Sequence, residues 1–148
     1  SPTAGYDYVI GSVHYLYRDG VYLPIDASQS AQEQAVQAHY GGDWYAFAEE
    51  YFAAVSRVYE RTHCQVVGHF DLLTKFNEGD ALFSTEHPRY RRAVSRALDA
   101  LSLAPVVFEI NTGAISRGGQ SIICLPGRFV VELSAAGGTE SGIDIVVK

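Results

Sequence analysis

The stretch Val66-Val67-Gly68-His69-Phe70-Asp71 decides the fold, because a short apolar run ends at a histidine and an aspartate follows two residues later. Gly11-Ser12-Val13-His14 ends an earlier apolar run in the same way, and Val106 to Ile110 forms a third. None of these runs alternates between apolar and polar residues, and helix-length segments separate them. Continuous apolar strands between helices are typical of parallel sheets covered on their faces by helices. The sequence therefore predicts an α/β protein built from βα repeats.

Four local signals predict the position of one turn and the first residues of the helices between the strands. Asp19-Gly20 indicates a turn, and Ser30-x-x-Glu33 predicts a capping box for a helix that ends near Gly41-Gly42. Asp43 is a good N-cap for one long amphipathic helix from Trp44 to about Arg61, and Pro88 opens a further helix to about Leu101.

The region after Gly118 has a different character, and we divide the chain into residues 1–118 and 119–148. Glycines separate three short apolar segments, at 122–125, 129–133 and 143–147. These segments predict either hairpin strands or an irregular tail.

Composition excludes several classes of function. The chain has 148 residues, a net charge of -6 and 47% hydrophobic residues, which suits one folded domain and excludes a disordered segment. An acidic surface argues against nucleic-acid binding, which needs basic residues to neutralise phosphates. No apolar run reaches the roughly 18 residues of a membrane span, so we expect no membrane insertion. Two distant cysteines, Cys64 and Cys124, favour a reducing, cytoplasmic location.

The candidate site follows from the positions of His14 and His69. Carboxyl ends of parallel strands meet at one edge of the sheet, so the two imidazoles are expected to converge. Asp71 lies two residues beyond His69 and would share its face in extended backbone. Imidazole and carboxylate ligands suit zinc, iron or manganese. Asn111 follows the third strand at the same expected edge.

Structural explanations compete with this one at every position. A strand-end histidine commonly satisfies a nearby carbonyl, and Asp71 could cap the turn that follows it. His39, His63 and His87 lie at predicted helix ends and receive no site role. The arginines between positions 89 and 96 are expected to form a solvated face. Spacing alone supports a βα-repeat domain with a candidate metal site.

The same residues carry a resemblance to a known family. Tyr6 to His14 (YDYVIGSVH), Val66 to Asp71 (VVGHFD) and Phe108 to Thr112 (FEINT) together resemble the PHP-type histidinol-phosphatases of histidine biosynthesis. The resemblance runs from Tyr6 to about Gly118.

The resemblance implies a distorted (β/α) barrel with a cluster of divalent metal ions (Zn, Mn or Fe) at its C-terminal mouth. It implies hydrolysis of histidinol phosphate, a small phosphate ester, to histidinol and phosphate. His14 and His69 would be metal ligands, and Asn111 and Arg117 would lie at the catalytic rim. Arg117 would also bind the phosphate, with Arg18 and Lys75 as further candidates for that contact, because cationic side chains bind phosphate oxygens.

The chain also departs from the family pattern, which has an N-terminal His-x-His pair, a glutamate ligand before the first histidine strand and a C-terminal Asp-x-His. A complete barrel needs about 250 residues, and the sequence contains no methionine. We therefore expect an internal fragment, a partial barrel incomplete at both ends, with little or no activity alone. Another PHP-type phosphoesterase and a non-catalytic truncated domain remain alternatives, and the oligomeric state is open.

Overall fold

The computed structural model describes residues 9–108 continuously and the backbone of residues 121–124, 129–132 and 144–147. Residues 9–108 contain a parallel sheet, a β-hairpin and four α-helices. The strands are β1 (Ile10–Gly11), β2 (Tyr15–Arg18), β3 (Val21–Pro24), β4 (Val66–Val67) and β5 (Val107–Phe108). The helices are α1 (Gln29–Tyr40), α2 (Trp44–Val55), α3 (Val58–Thr62) and α4 (Pro88–Leu101).

The parallel sheet has the strand order β1-β4-β5 and joins the three apolar runs that the sequence singles out. Gly11 is paired with Val67, and Val67 with Phe108, so the three carboxyl ends lie at one edge. Helix α3 packs against β1 so closely that a Cβ at Gly11 would lie 2.8 Å from Thr62 Oγ1 and 2.9 Å from Cys64 Sγ. The parallel pairing agrees with the apolar pattern, whereas the partial PHP-type barrel stays a prediction.

Strands β2 and β3 form an antiparallel hairpin around the predicted turn. Asp19 and Gly20 have φ values of 51° and 82°, which suit the mirror-image turns that match the twist of hairpin strands. Leu16 and Leu23 are paired across the hairpin and buried on its inner face. The turn therefore returns the chain to the level of His14.

Two helix boundaries differ from the sequence prediction. Ser28, and not Ser30, caps α1: its hydroxyl accepts a hydrogen bond from the Ala31 amide, and the helix begins at Gln29. The predicted helix from Trp44 to Arg61 is divided into α2 and α3. Its break has a local cause, because the Ser56 hydroxyl and Arg57 Nε both donate to the Ala53 carbonyl and compete with the helical backbone.

The remaining helix starts follow the prediction. Asp43 caps α2 by accepting from the amides of Tyr45 and Ala46. Pro88 is the first residue of α4, and the preceding His87 accepts from the Arg89 amide through Nδ1. In the continuously described part of the chain, no helix is long and apolar enough to cross a membrane.

Helices α2 and α4 pack against each other over the core. The predicted apolar stripe of α2 is buried from Phe47 to Val55, and Val58 continues it in α3. Aromatic rings join the layers: Trp44 stacks on Phe83 at 5.3 Å, and Phe52 meets Tyr90 edge-on at 5.5 Å. The Phe70 ring continues this packing to the parallel sheet, since it lies 5.4 Å from Phe52 of α2 and 5.5 Å from Phe108 of β5.

The three apolar segments of the C-terminal region form an antiparallel sheet. Strands β6 (Ser121–Cys124), β7 (Phe129–Glu132) and β8 (Asp144–Val147) pair in sequence order. They overlap the predicted segments, in accordance with the hairpin alternative. The proposed boundary at residues 118 and 119 lies outside the described residues, and the division into two regions stays a prediction.

Candidate functional site

The two strand-end histidines meet at the carboxyl edge of the parallel sheet. The ring centroids of His14 and His69 are 5.7 Å apart, in an edge-to-face arrangement with an angle of 80° between the planes. The Gly68 amide donates to the Gly11 carbonyl at 2.9 Å and extends the β1–β4 pairing toward them. The convergence expected from the topology is therefore present.

Asp26 orients His14. The Nδ1–H of His14 donates to Asp26 Oδ2 at 3.1 Å, since an ionised carboxylate only accepts hydrogen bonds. The Ile25 amide donates to the His14 carbonyl at 2.9 Å, so the backbone around both residues is also joined. Both side chains are partly exposed, at 40% for His14 and 28% for Asp26. The imidazole is thus held in one tautomer and one orientation, with its Nε2 as the remaining ring nitrogen.

Sequence reasoning did not identify Asp26, although a signal for it exists. The Asp19-Gly20 turn fixes the hairpin register, in which Tyr15 faces Pro24. Continuing that register by one residue places His14 beside Ile25, next to Asp26. Counting outward from the turn would therefore have found the partner of the histidine.

His69 has a left-handed backbone that a buried tyrosine stabilises. Its φ is 51°, a conformation that costs a non-glycine residue about 1 kcal/mol or more. The Tyr51 hydroxyl donates to the carbonyl of His69 at 3.1 Å and to that of Phe70 at 3.3 Å. The Leu72 amide also donates to the His69 carbonyl, at 3.0 Å. Helix α2 thus fixes the turn that presents the second imidazole.

Two carboxylates influence the same tyrosine. Burial raises the pKa of Tyr51 far above its usual value, and the negative charges of Asp71 and Asp26 raise that pKa further. Tyr51 is therefore a neutral hydrogen-bond donor at every ordinary pH. The Asp71 side chain makes no capping hydrogen bond to the 3-10 helix Leu72–Thr74 that follows it, so the capping explanation for Asp71 is wrong.

The predicted cationic residues have different surroundings. Lys75 Nζ donates to the main-chain carbonyl of Asp26 at 3.0 Å, which places the ammonium beside the His14 partner. Arg18 instead donates to Glu50 at 2.6 Å and lies 4.5 Å above the Tyr40 ring. The hydrogen bond to Glu50 is the main reason why the pKa of Arg18 is raised. Of these two candidates, only Lys75 contacts the segments around the histidines.

The two predicted rim positions lie outside the described residues. Asn111 and Arg117 follow β5, whose carboxyl end is at the same sheet edge. Their predicted catalytic and phosphate-binding roles stay predictions, as do the phosphate-binding roles of Arg18 and Lys75 and the metal-ligand roles of His14 and His69.

The described residues bring together two side chains that are able to bind a metal ion. Between positions 9 and 108, no group of three or more His, Cys, Asp or Glu side chains is arranged to hold a metal ion. A catalytic zinc ion takes three protein ligands, and its histidines commonly donate their second ring nitrogen to a carboxylate. His14, with Asp26 on Nδ1, fits that pattern, and His69 adds a second imidazole. The described residues thus offer two imidazole donors, fewer than the three protein ligands of a catalytic zinc ion.

The remaining histidines and arginines have mostly structural contacts. His39 pairs with Asp19 at 2.9 Å, and His63 ends α3 with a φ of 51°. On α4, Arg91, Arg92 and Arg96 are exposed, as the predicted solvated face requires. Arg89 differs, because it binds Asp43 and Glu49 of α2 and lowers the pKa values of both carboxylates.

Fold and site define an α/β protein with an imidazole pair at the carboxyl ends of adjacent parallel strands. The chain is 30% identical over 136 residues to a protein of Schizosaccharomyces pombe (strain 972 / ATCC 24843) named "Probable histidinol-phosphatase". This alignment includes 90% of the chain but 42% of the relative, so the chain spans about two fifths of the curated relative's length. No model of a protein family matches the chain, and no solved structure matches it.

Proposed function

We propose that the chain forms part of a metal-dependent phosphomonoester hydrolase that converts histidinol phosphate to histidinol and phosphate. The observation that carries this proposal is the convergence of His14 and His69, with Asp26 on Nδ1 of His14. The name of the yeast relative supports the substrate, as does the resemblance of the motifs that contain both histidines.

The roles follow from the contacts. His14 and His69 would hold a divalent ion together with ligands from outside the described residues, and Asp26 would keep the His14 ring aligned. A bound divalent ion lowers the pKa of its water to about 7 and so supplies hydroxide at neutral pH. Lys75, beside Asp26, would place a positive charge near the phosphate oxygens. Arg117 and Asn111 would contribute from the third strand end.

Metal binding gives the first test. The purified chain should bind zinc in equilibrium dialysis, and His14→Gln or His69→Gln should weaken its affinity by at least tenfold, because each removes one donor. His39→Gln provides the matched control, since His39 pairs with Asp19 instead. Equal affinity in all four proteins would contradict the assignment of the histidine pair.

Phosphate release from histidinol phosphate gives the second test. We expect low turnover with manganese or zinc, which His14→Gln and His69→Gln abolish and His39→Gln preserves. A panel of other phosphomonoesters and a short oligonucleotide separates this substrate from those of other phosphoesterases. Well under one equivalent of bound metal, together with no phosphate release, would support the non-catalytic alternative.

A further inference from the structure

A buried amide in α1 connects the two segments that carry the histidines. Gln32 is 0% exposed, although it lies in a helix whose neighbouring positions 33 and 34 are exposed. Its Nε2 donates to the Ile25 carbonyl at 3.0 Å and to the Leu73 carbonyl at 3.1 Å. Two carbonyl acceptors require an NH₂ donor, which fixes the orientation of the amide.

Each of these carbonyls belongs to one half of the site. Ile25 precedes Asp26, and its amide donates to the His14 carbonyl. Leu73 lies in the 3-10 helix that follows His69 and leads to Lys75. One buried amide therefore joins the His14–Asp26 segment to the His69–Lys75 segment.

The other contacts near the histidines differ from this connection in position or in exposure. The Gly68 amide donates to the Gly11 carbonyl and joins the two strands before each histidine, not the segments that follow. The Tyr51 hydroxyl reaches the carbonyls of His69 and Phe70, and neither belongs to the first segment. The hydrogen bond from Lys75 to the Asp26 carbonyl joins both segments but is exposed to water. Hydrogen bonds are stronger and more rigid in a buried, low-dielectric position than at the surface.

We infer that Gln32 is a positioning residue, which sets the separation of the two imidazoles by holding both segments through one amide. The expected effect on turnover rests on the proposed function. The expected effect on the distance between the two imidazole rings does not. Because a misplacement of about 1 Å can lower a reaction rate roughly 100-fold, a loss of this connection should act mainly on kcat.

Gln32→Met tests the inference, because Met retains the volume but cannot donate to either carbonyl. Asn77→Leu is the matched control: Asn77 is also a buried amide, but it holds the loop around Phe83, with contacts to the amides of Leu82 and Phe83 and the Phe83 carbonyl. The readout is the NMR cross-relaxation between the ring protons of His14 and His69 in the full chain. We expect Gln32→Met to lose the wild-type signal and Asn77→Leu to keep it.

Turnover is the second readout of the same variants. We expect Gln32→Met to lower kcat about 10 to 100-fold with little change in KM. If the wild-type chain neither binds metal nor releases phosphate, the proposed function is refuted, whereas the ring signals still test the positioning role.

A measurement on the unaltered chain covers the case in which the variants do not fold. The side-chain NH₂ protons of Gln32 should exchange with solvent much more slowly than those of Gln34, which is exposed on the same helix. Equally fast exchange at both positions would overturn the inference. Unchanged ring signals in Gln32→Met, or equal losses in Gln32→Met and Asn77→Leu, would overturn it as well.

Discussion

The Tyr51 hydroxyl permits a quantitative test of how α2 stabilises the turn at His69. Tyr51→Phe retains a ring that is fully buried and that packs against Phe52 at 5.1 Å. It removes the donor shared between the carbonyls of His69 and Phe70. The His69 carbonyl keeps its bond from the Leu72 amide, so the loss is less than that of a fully unpaired group. We expect the free energy of unfolding to fall by about 1 to 1.5 kcal/mol at pH 8.

The size of this loss depends on pH in a defined direction. Burial raises the pKa of Tyr51 in the folded chain well above the value of about 10 in the unfolded chain. The contribution of the neutral phenol is therefore complete below pH 10 and declines as the pH rises from 10 toward the folded pKa. At pH 11 ionisation of the unfolded residue lowers wild-type stability by about 1.4 kcal/mol. Phe does not ionise, so the variant and the wild type should be almost equally stable there.

Urea unfolding followed by circular dichroism at pH 8, 10 and 11 measures this change. The other tyrosines ionise in both proteins, so their effects cancel in the difference. Tyr15→Phe is the control, since Tyr15 is 59% exposed, and it should stay within about 0.5 kcal/mol of wild type at pH 8. A Tyr51→Phe difference that stays constant from pH 8 to pH 11 would refute the reasoning.

Three further substitutions test the fold. Arg89→Leu should lower the stability measurably at pH 7, because it removes ion pairs to Asp43, the cap of α2, and to Glu49 in that helix. Arg89 lowers the pKa values of both carboxylates, so the loss of stability is complete above about pH 4 and disappears as the pH falls further. Urea titrations measure this loss, and a loss that stays constant down to about pH 2.5 would contradict the prediction. Gly11→Ala should cost about 1 to 3 kcal/mol through overpacking against α3, and Cys64→Ala in the same chain should recover part of it in thermal unfolding. Ser28→Ala should lower the free energy of unfolding by about 1 kcal/mol, and Ser30→Ala by under about 0.5 kcal/mol. A larger loss in Ser30→Ala would show that Ser30, and not Ser28, caps α1.

The sequence predicted those parts of the fold whose causes are local. Asp43 and Pro88 start their helices as expected, because capping and the missing proline amide act within one turn. The division of α2 from α3 was not predictable from the apolar stripe, which continues across it through Val55 and Val58. The deciding contacts are two side-chain donors on the Ala53 carbonyl, and a hydrophobic pattern carries no information about them.

The candidate site also has features that the sequence predicted and features that it did not. The convergence of His14 and His69 follows from topology, since both end parallel strands and such ends share an edge. Asp26 was missed because its proximity to His14 depends on hairpin register and not on strand ends. Arg18 was chosen for its nearness in sequence to His14, but four residues of extended strand span about 13 Å. Its guanidinium lies away from the imidazole and contacts Glu50.

Two of the residues that hold the histidine segments in place, Gln32 and Tyr51, lie on the apolar faces of helices, where the hydrophobic pattern conceals them. Gln32 lies on the buried face of α1 with Ala35 and Val36, three and four positions further along the helix. An amide on such a face carries a desolvation cost of about 1 to 3 kcal/mol unless it finds acceptors. Two backbone carbonyls of the histidine segments are the acceptors that it finds. A single polar residue on the apolar face of a helix is therefore a usable signal, because the bonds that it needs must come from the loops beneath it.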